Sequence, residues 1–254
     1  MNKKKLYSLA AVTALSLIML GGCSTSDKAT GPSTELSQGH KFIAKDSSFL
    51  VGKDGTISPT TNIKDKAVVD VYLDPLCPGC AEFERTTGDY IAEKMKTGKL
   101  LVRYHPLMFL DSQSSDEYSS RASAYILGVA EYEPKLISKF MTAIFSKEFA
   151  PEEGSYVATS NAKFDELFTK IGGSESAKNS INAKLKTNME KTYNATMAVM
   201  KSSDLKAKSQ TDQLFTPFVI PNAPGKYDAD ALMFSTEANG ILTTTKAAID
   251  KILK

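Results

Sequence analysis

The chain has 254 residues, 42% hydrophobic and 24% charged, with 31 Lys and Arg against 29 Asp and Glu. Without Lys3, Lys4 and Lys5, which belong to the leader taken up next, its formal charge moves from +2 to −1. No basic stripe or charge block remains, which excludes nucleic acid as a partner and charge attraction as the means of holding a membrane.

Those three lysines precede an apolar run, Leu6 to Leu20. Its length suits the core of an export signal, roughly 7–15 residues, and falls short of the ~20 that cross a bilayer. The run ends Leu20-Gly21-Gly22-Cys23, which resembles a bacterial lipoprotein lipobox. That resemblance implies a signal peptide over 1–22, cleavage before Cys23, and diacylglycerol on the Cys23 sulfur as a lipid anchor. Residues 23–45, rich in Ser, Thr and Gly, are expected to form a flexible tether.

Ala67 to Leu73 reads as a strand, β-branched and aromatic, with Val69, Val71 and Leu73 on one face. Asp74-Pro75 is turn chemistry. Cys77 then takes the N-cap of a helix and Pro78 its first position, where a missing N–H is harmless. Phe83, Tyr90, Ile91 and Met95 give this helix an apolar stripe, and Gly98 stops it. Gly88 inside the run is a candidate kink. Leu100 to His105 is a second strand, completing a strand–helix–strand unit with parallel pairing. Four helical stripes follow, led by Tyr118, Leu136, Phe164 and Ile181. Phe218-Val219-Ile220 forms a short strand after Thr216-Pro217, and Thr243 to Leu253 a closing helix. The pattern predicts an α/β domain, 46–112 and 206–254, interrupted by an all-helical insertion, 113–205.

Of three cysteines, Cys23 lies at the lipobox, leaving the pair Cys77 and Cys80. A bridge between them closes almost no loop, so it is poorly placed as a structural staple. Redox exchange suits it better. A thiolate is the nucleophile, and the Cys77 sulfur is expected to accept from the Gly79 and Cys80 amides, with the positive helix end favouring the anion. Cys80, one turn further in, would resolve. Pro78, without an amide, and Gly79, without a side chain, would tune the balance and leave the surface open.

Three stretches, "VVDVYLDPLCPGCAEFE", "VRYHPLMFLDSQSSDEYSSRAS" and "LFTPFVI", in this order, resemble the DsbA-like branch of the thioredoxin superfamily. The form they are most similar to is the lipid-anchored, extracytoplasmic one of Gram-positive bacteria. The resemblance implies a thioredoxin fold interrupted by helices and a cis Thr216-Pro217 peptide beside the active pair. It implies that the Thr216 backbone and Pro217 receive client strands. It also implies exported unfolded proteins with free cysteines as clients, a membrane redox partner, and no cofactor beyond the Cys77–Cys80 disulfide. One departure stands out. Many relatives carry a buried acid six residues before the first cysteine, where this chain has Val71. Glu82 and Glu84 are read first as solvated charges at the helix start.

A zinc site would need two further ligands, and the chain offers only His40 and His105; no metal is expected. No Gly-x-Ser-x-Gly elbow supports a hydrolase. A non-catalytic surface lipoprotein with an inert pair is the alternative of a different class. Among redox directions, an exported location and the Cys-Pro-x-Cys start favour a dithiol oxidase over a reductase or isomerase. No dimerisation module is visible, so a monomer at the outer face of the cell membrane is expected.

Overall fold

The structure is a computed structural model that describes residues 32–59, 63, 65–152, 156–233 and 238–254. The leader and Cys23 lie outside the described residues.

Two short strands open the described chain, β1 (Phe49–Val51) and β2 (Ile57–Ser58). The strand–helix–strand unit follows as β3 (Ala67–Leu73), α1 (Pro78–Met95) and β4 (Leu100–Pro106). The helical stretch holds α2 (Tyr118–Tyr132), α3 (Ile137–Ile144), α4 (Asn161–Lys170), α5 (Glu175–Lys201) and α6 (Ser203–Ser209). The chain returns through β5 (Phe218–Asn222) and β6 (Leu232–Met233) and ends in α7 (Ala238–Ile252). The strands form a six-stranded mixed sheet in the order β2-β1-β4-β3-β5-β6. β3 pairs with β4 in parallel and with β5 antiparallel, so it lies at the centre and ends at the reactive turn.

Every residue of β3 is buried, as expected of a strand covered on both faces. Val69, Val71 and Leu73 turn to the face covered by α1, where Cys80, Phe83, Ile91 and Met95 meet them. The same core runs without a break into the helical stretch, where Tyr125 packs on Phe140, Phe164 and Phe168. On the α1 side of the sheet the thioredoxin fold and the inserted helices thus share one apolar core, while Tyr72, Leu107, Phe218 and Ile220 form a separate cluster. Tyr90 and Lys94 of α1 both reach Asp250 of α7 at 2.6 Å, fastening the two helices together. α1 passes through Gly88 as one helix and gives way after Met95, with Gly98 at φ 71°.

The expectation of a flexible tether over 23–45 needs correction for its described part. Glu131 of α2 is 8% exposed and accepts the backbone N–H groups of Lys41 and Phe42, at 2.8 and 3.2 Å. Ile43 is fully buried, Leu36 bridges to Ala44, and Lys191 of α5 donates to Ser37. Composition suggests a spacer there, but Ile43 gives the segment an apolar foot and Glu131 satisfies the Lys41 and Phe42 amides.

Candidate active site

The turn between β3 and α1 is built around Asp74. Its carboxylate, fully buried, accepts from the Leu76 amide at 2.8 Å, the Leu110 amide at 2.8 Å and the Ser119 hydroxyl at 2.6 Å. Its own N–H points at the Cys80 sulfur, 3.3 Å away. Its carbonyl accepts from the Cys77 N–H at 3.0 Å, closing the turn. Burial pushes the Asp74 carboxyl up to about 6 despite these donors.

Cys77 holds the N-cap with extended backbone, φ −75° and ψ 119°, and its carbonyl accepts from the Cys80 and Ala81 amides. The sulfur makes no capping hydrogen bond in this thiol form, and of the two amides expected to stabilise it only that of Cys80 draws its pKa down. The Cys77 thiol instead donates to the Thr216 carbonyl at 3.1 Å. Both cysteines are free thiols. The Cys77 thiol is drawn down to about 7, first by a hydrogen bond from Cys80, against burial, and then by the Thr216 side chain and the Cys80 amide. The stabilisation expected from the helix end thus comes first from the neighbouring sulfur. Cys80 is 0% exposed, and burial pushes its thiol well above the ordinary range. The pair is asymmetric: Cys77, 8% exposed, is the more readily ionised, and Cys80, fully enclosed, is reluctant.

Thr216-Pro217 is a cis peptide, and it lies against the pair. A Cβ at Gly79 would come within 3.2 Å of the Pro217 ring and 3.7 Å of the Cys77 sulfur. Glycine at 79 therefore lets the 216–217 turn close onto the helix start. Cys77, Pro78, Gly79, Cys80, Thr216 and Pro217 thus converge.

Three residues at the site escape a reading by pattern. Asp74 looks like a plain turn residue. Phe215 precedes Thr216 and is 52% exposed, a large apolar surface next to the reactive sulfur. Glu84 has a carboxyl oxygen with no access to solvent, and burial pushes it up to about 7. Glu84 is thus not the solvated charge expected, whereas Glu82 keeps that description, paired with Arg85 at 2.9 Å. The Cys80-to-Glu84 spacing, one helical turn, is the signal that could have pointed to it.

On the opposite face of β3, Asp70 accepts from Asn222 at 2.8 Å, lies 2.9 Å from His105 and 3.4 Å from Arg103. His105 also stacks on Tyr72, with ring centroids 3.9 Å apart. His40 faces Glu131 at 3.4 Å. Both histidines are engaged with carboxylates.

A central parallel pair, a helix capped by one of two close thiols, and a cis-proline turn against them define a thiol–disulfide oxidoreductase built on the thioredoxin fold. A family model described as thioredoxin matches residues 62–223, more than half of the chain. The chain belongs to that family, in its DsbA-like branch. It is similar to oxidised DsbA of Mycobacterium tuberculosis, at 25% identity and a TM-score of 0.59, over 81% of this chain and 99% of that one. It is also similar to the reduced disulfide bond oxidoreductase DsbG of that organism, at 28% identity and a TM-score of 0.53, over 80% and 83%. A curated relative, the serine/threonine-protein kinase PknE of M. tuberculosis, is 35% identical over 124 residues, 48% of this chain. The match spans only 21% of that kinase's length.

Proposed function

We propose that the protein is an extracytoplasmic dithiol oxidase, anchored by lipid on Cys23, that introduces disulfides into exported proteins. The observation that carries this reading is the asymmetry of the pair, a Cys77 thiol near 7 beside an enclosed Cys80. A stabilised Cys77 thiolate favours the reduced form and so makes the disulfide oxidising.

In the oxidised form, a client thiolate attacks the Cys77 sulfur, the Cys77–Cys80 bond breaks, and its electron pair goes to Cys80. A second client thiolate attacks the client sulfur, expelling Cys77 as a thiolate and leaving the client's disulfide. The Thr216 carbonyl then receives a client backbone amide as an added strand, a reading supported by its 3.1 Å distance from the Cys77 sulfur. The exposed Phe215 offers apolar contact to an unfolded chain. No cofactor beyond the sulfur pair takes part, and a membrane partner reoxidises it.

Equilibration of Cys77–Cys80 against graded glutathione tests the direction. A potential nearer to about −120 mV than to about −270 mV supports the oxidase; one near −270 mV makes the protein a reductase instead.

A further inference from the structure

When a thiolate attacks Cys77, the electron pair of the broken bond arrives on the Cys80 sulfur, an atom of a residue that is 0% exposed. An enclosed anion without a partner is costly. The speed of exchange therefore depends on what already faces that sulfur when the charge develops. Burial and the neighbouring Cys77 push the Cys80 thiol up, and against them the Asp74 peptide amide acts ahead of Thr216.

The Asp74 N–H points at the Cys80 sulfur, with 3.3 Å between nitrogen and sulfur. The peptide unit that carries it cannot swing. The Leu73 carbonyl, at its other end, accepts the Leu107 N–H at 2.8 Å. The Asp74 carbonyl accepts the Cys77 N–H at 3.0 Å. One carboxylate oxygen of Asp74 holds the Leu76 amide and the Ser119 hydroxyl, the other the Leu110 amide. The negative end of the residue is thus committed elsewhere, while its positive end faces the sulfur. A donor fixed in this way needs no reorganisation as charge appears, the condition under which such donors lower a barrier most. The Thr216 carbonyl cannot serve, since it is an acceptor and faces Cys77.

We propose that the Asp74 peptide N–H is a catalytic group that stabilises the Cys80 sulfur as it leaves, held in aim by Ser119 of α2 through the Asp74 carboxylate. In the opening step the bond between the client sulfur and Cys77 forms, the Cys77–Cys80 bond breaks, and its electron pair moves onto Cys80 facing this N–H. No proton moves. In the closing step the Cys80 thiolate attacks the Cys77 sulfur of the mixed disulfide and the client leaves as a thiolate. A donor at Cys80 also makes that sulfur the better leaving group, which directs attack to Cys77. The proposal rests on thiol–disulfide exchange at this pair and holds for either direction of electron flow.

The two end states, disulfide and enclosed thiol, leave Cys80 uncharged. The donor therefore acts on the passage between them, so its loss should slow both directions equally and leave the equilibrium in place. The test uses purified full-length protein as wild type, with Asp74 replaced by malic acid, and as Ser119→Ala. Malic acid keeps the carboxylate and puts an ester oxygen where the N–H stands. Reduction by dithiothreitol, oxidation by oxidised glutathione, the glutathione equilibrium and Cys77 alkylation are measured at about pH 8, where an Asp74 carboxyl raised to about 6 is ionised. One donor to an oxyanion is worth about 10²–10³-fold in rate. Sulfur is a weaker acceptor, so the malic acid variant is expected to lose ~10-fold or more in both rates, with equilibrium and Cys77 alkylation unmoved. Ser119→Ala is expected to lose less, again equally in both directions. Undiminished rates in either variant, or a loss in one direction only, overturn the proposal, the latter because the bond would then belong to an end state. A wild type that exchanges no disulfide with either reagent would instead remove the function on which the proposal rests.

Discussion

Asp74 stands between β3 and the first cysteine and gathers the Leu76 and Leu110 amides and the Ser119 hydroxyl onto one carboxylate. Its pKa is raised, from the usual carboxylate range to about 6. The sign follows: its contribution to stability is full below about pH 4 and is lost as pH rises through 6, because the charged form is the buried one that costs. Asp74→Asn presents an NH₂ group where a carboxylate oxygen accepted a hydrogen bond. We expect a loss of about 1–3 kcal/mol in urea unfolding of the reduced protein, and a stability curve flat between pH 4 and 6. The Asp74 charge also raises the Cys77 thiol, so the alkylation inflection of Cys77 should fall below its wild-type position. An inflection that rises would show the charge to be irrelevant there. At this scale the sequence is legible only locally. Cys77 at the N-cap and Pro78 at the first helical position are readable from adjacent letters. The partners of Asp74 lie 36 and 45 residues away in the chain, and no periodicity announces them. Glu84 is hidden for a related reason. Its letter suggests solvent, yet one of its carboxyl oxygens is enclosed although the residue as a whole is only half-buried.

Among the elements, β3 is legible residue for residue, because a continuous β-branched run ends abruptly at Asp74-Pro75. β1, β2 and β6 are not, since two or three residues are too few to display an alternation. The N-terminal segment 32–45 is misleading for a compositional reason: many of its residues are small and polar, and the two that are buried, Ile43 and Ala44, form no repeat. Its docking makes a measurable statement about pH. Backbone donors and His40 hold the Glu131 carboxyl below its usual range, against burial. A depressed carboxyl contributes stability that is present above its unfolded value, about 4.5, and lost as pH falls through the folded one. Limited proteolysis of 32–45 should therefore stay slow at neutral pH and accelerate as pH falls below 4.5, and Glu131→Ala should accelerate it at neutral pH. Equal cleavage of variant and wild type at neutral pH would show that Glu131 does not hold the segment.

For the whole molecule, no helix among the described residues is long and apolar enough to cross a membrane. On the proposed function, attachment falls to Cys23 and its lipid. Cys23→Ala should move the protein from the membrane pellet to the soluble fraction without changing the glutathione equilibrium of the purified protein. Retention in the pellet would assign the attachment to another feature. The architecture itself, a strand–helix–strand start split by helices from a closing strand and helix, is legible from the order of the patterns. The unity of its core on the α1 side is not, because Tyr125, Phe140 and Phe164 reveal only that each helix has an apolar side, not that these sides continue the core beneath the sheet.

That unity has a mechanical side. Ser119 sits on α2 and Leu110 on the approach to it, and both are fastened to the carboxylate whose own amide faces the enclosed sulfur. The inserted helices are therefore cross-braced to the reactive turn rather than hung beside it. A partner that leans on those helices transmits force through a single side chain to the backbone beside Cys80, and a transplanted insertion lacking a hydroxyl at position 119 would leave that brace loose.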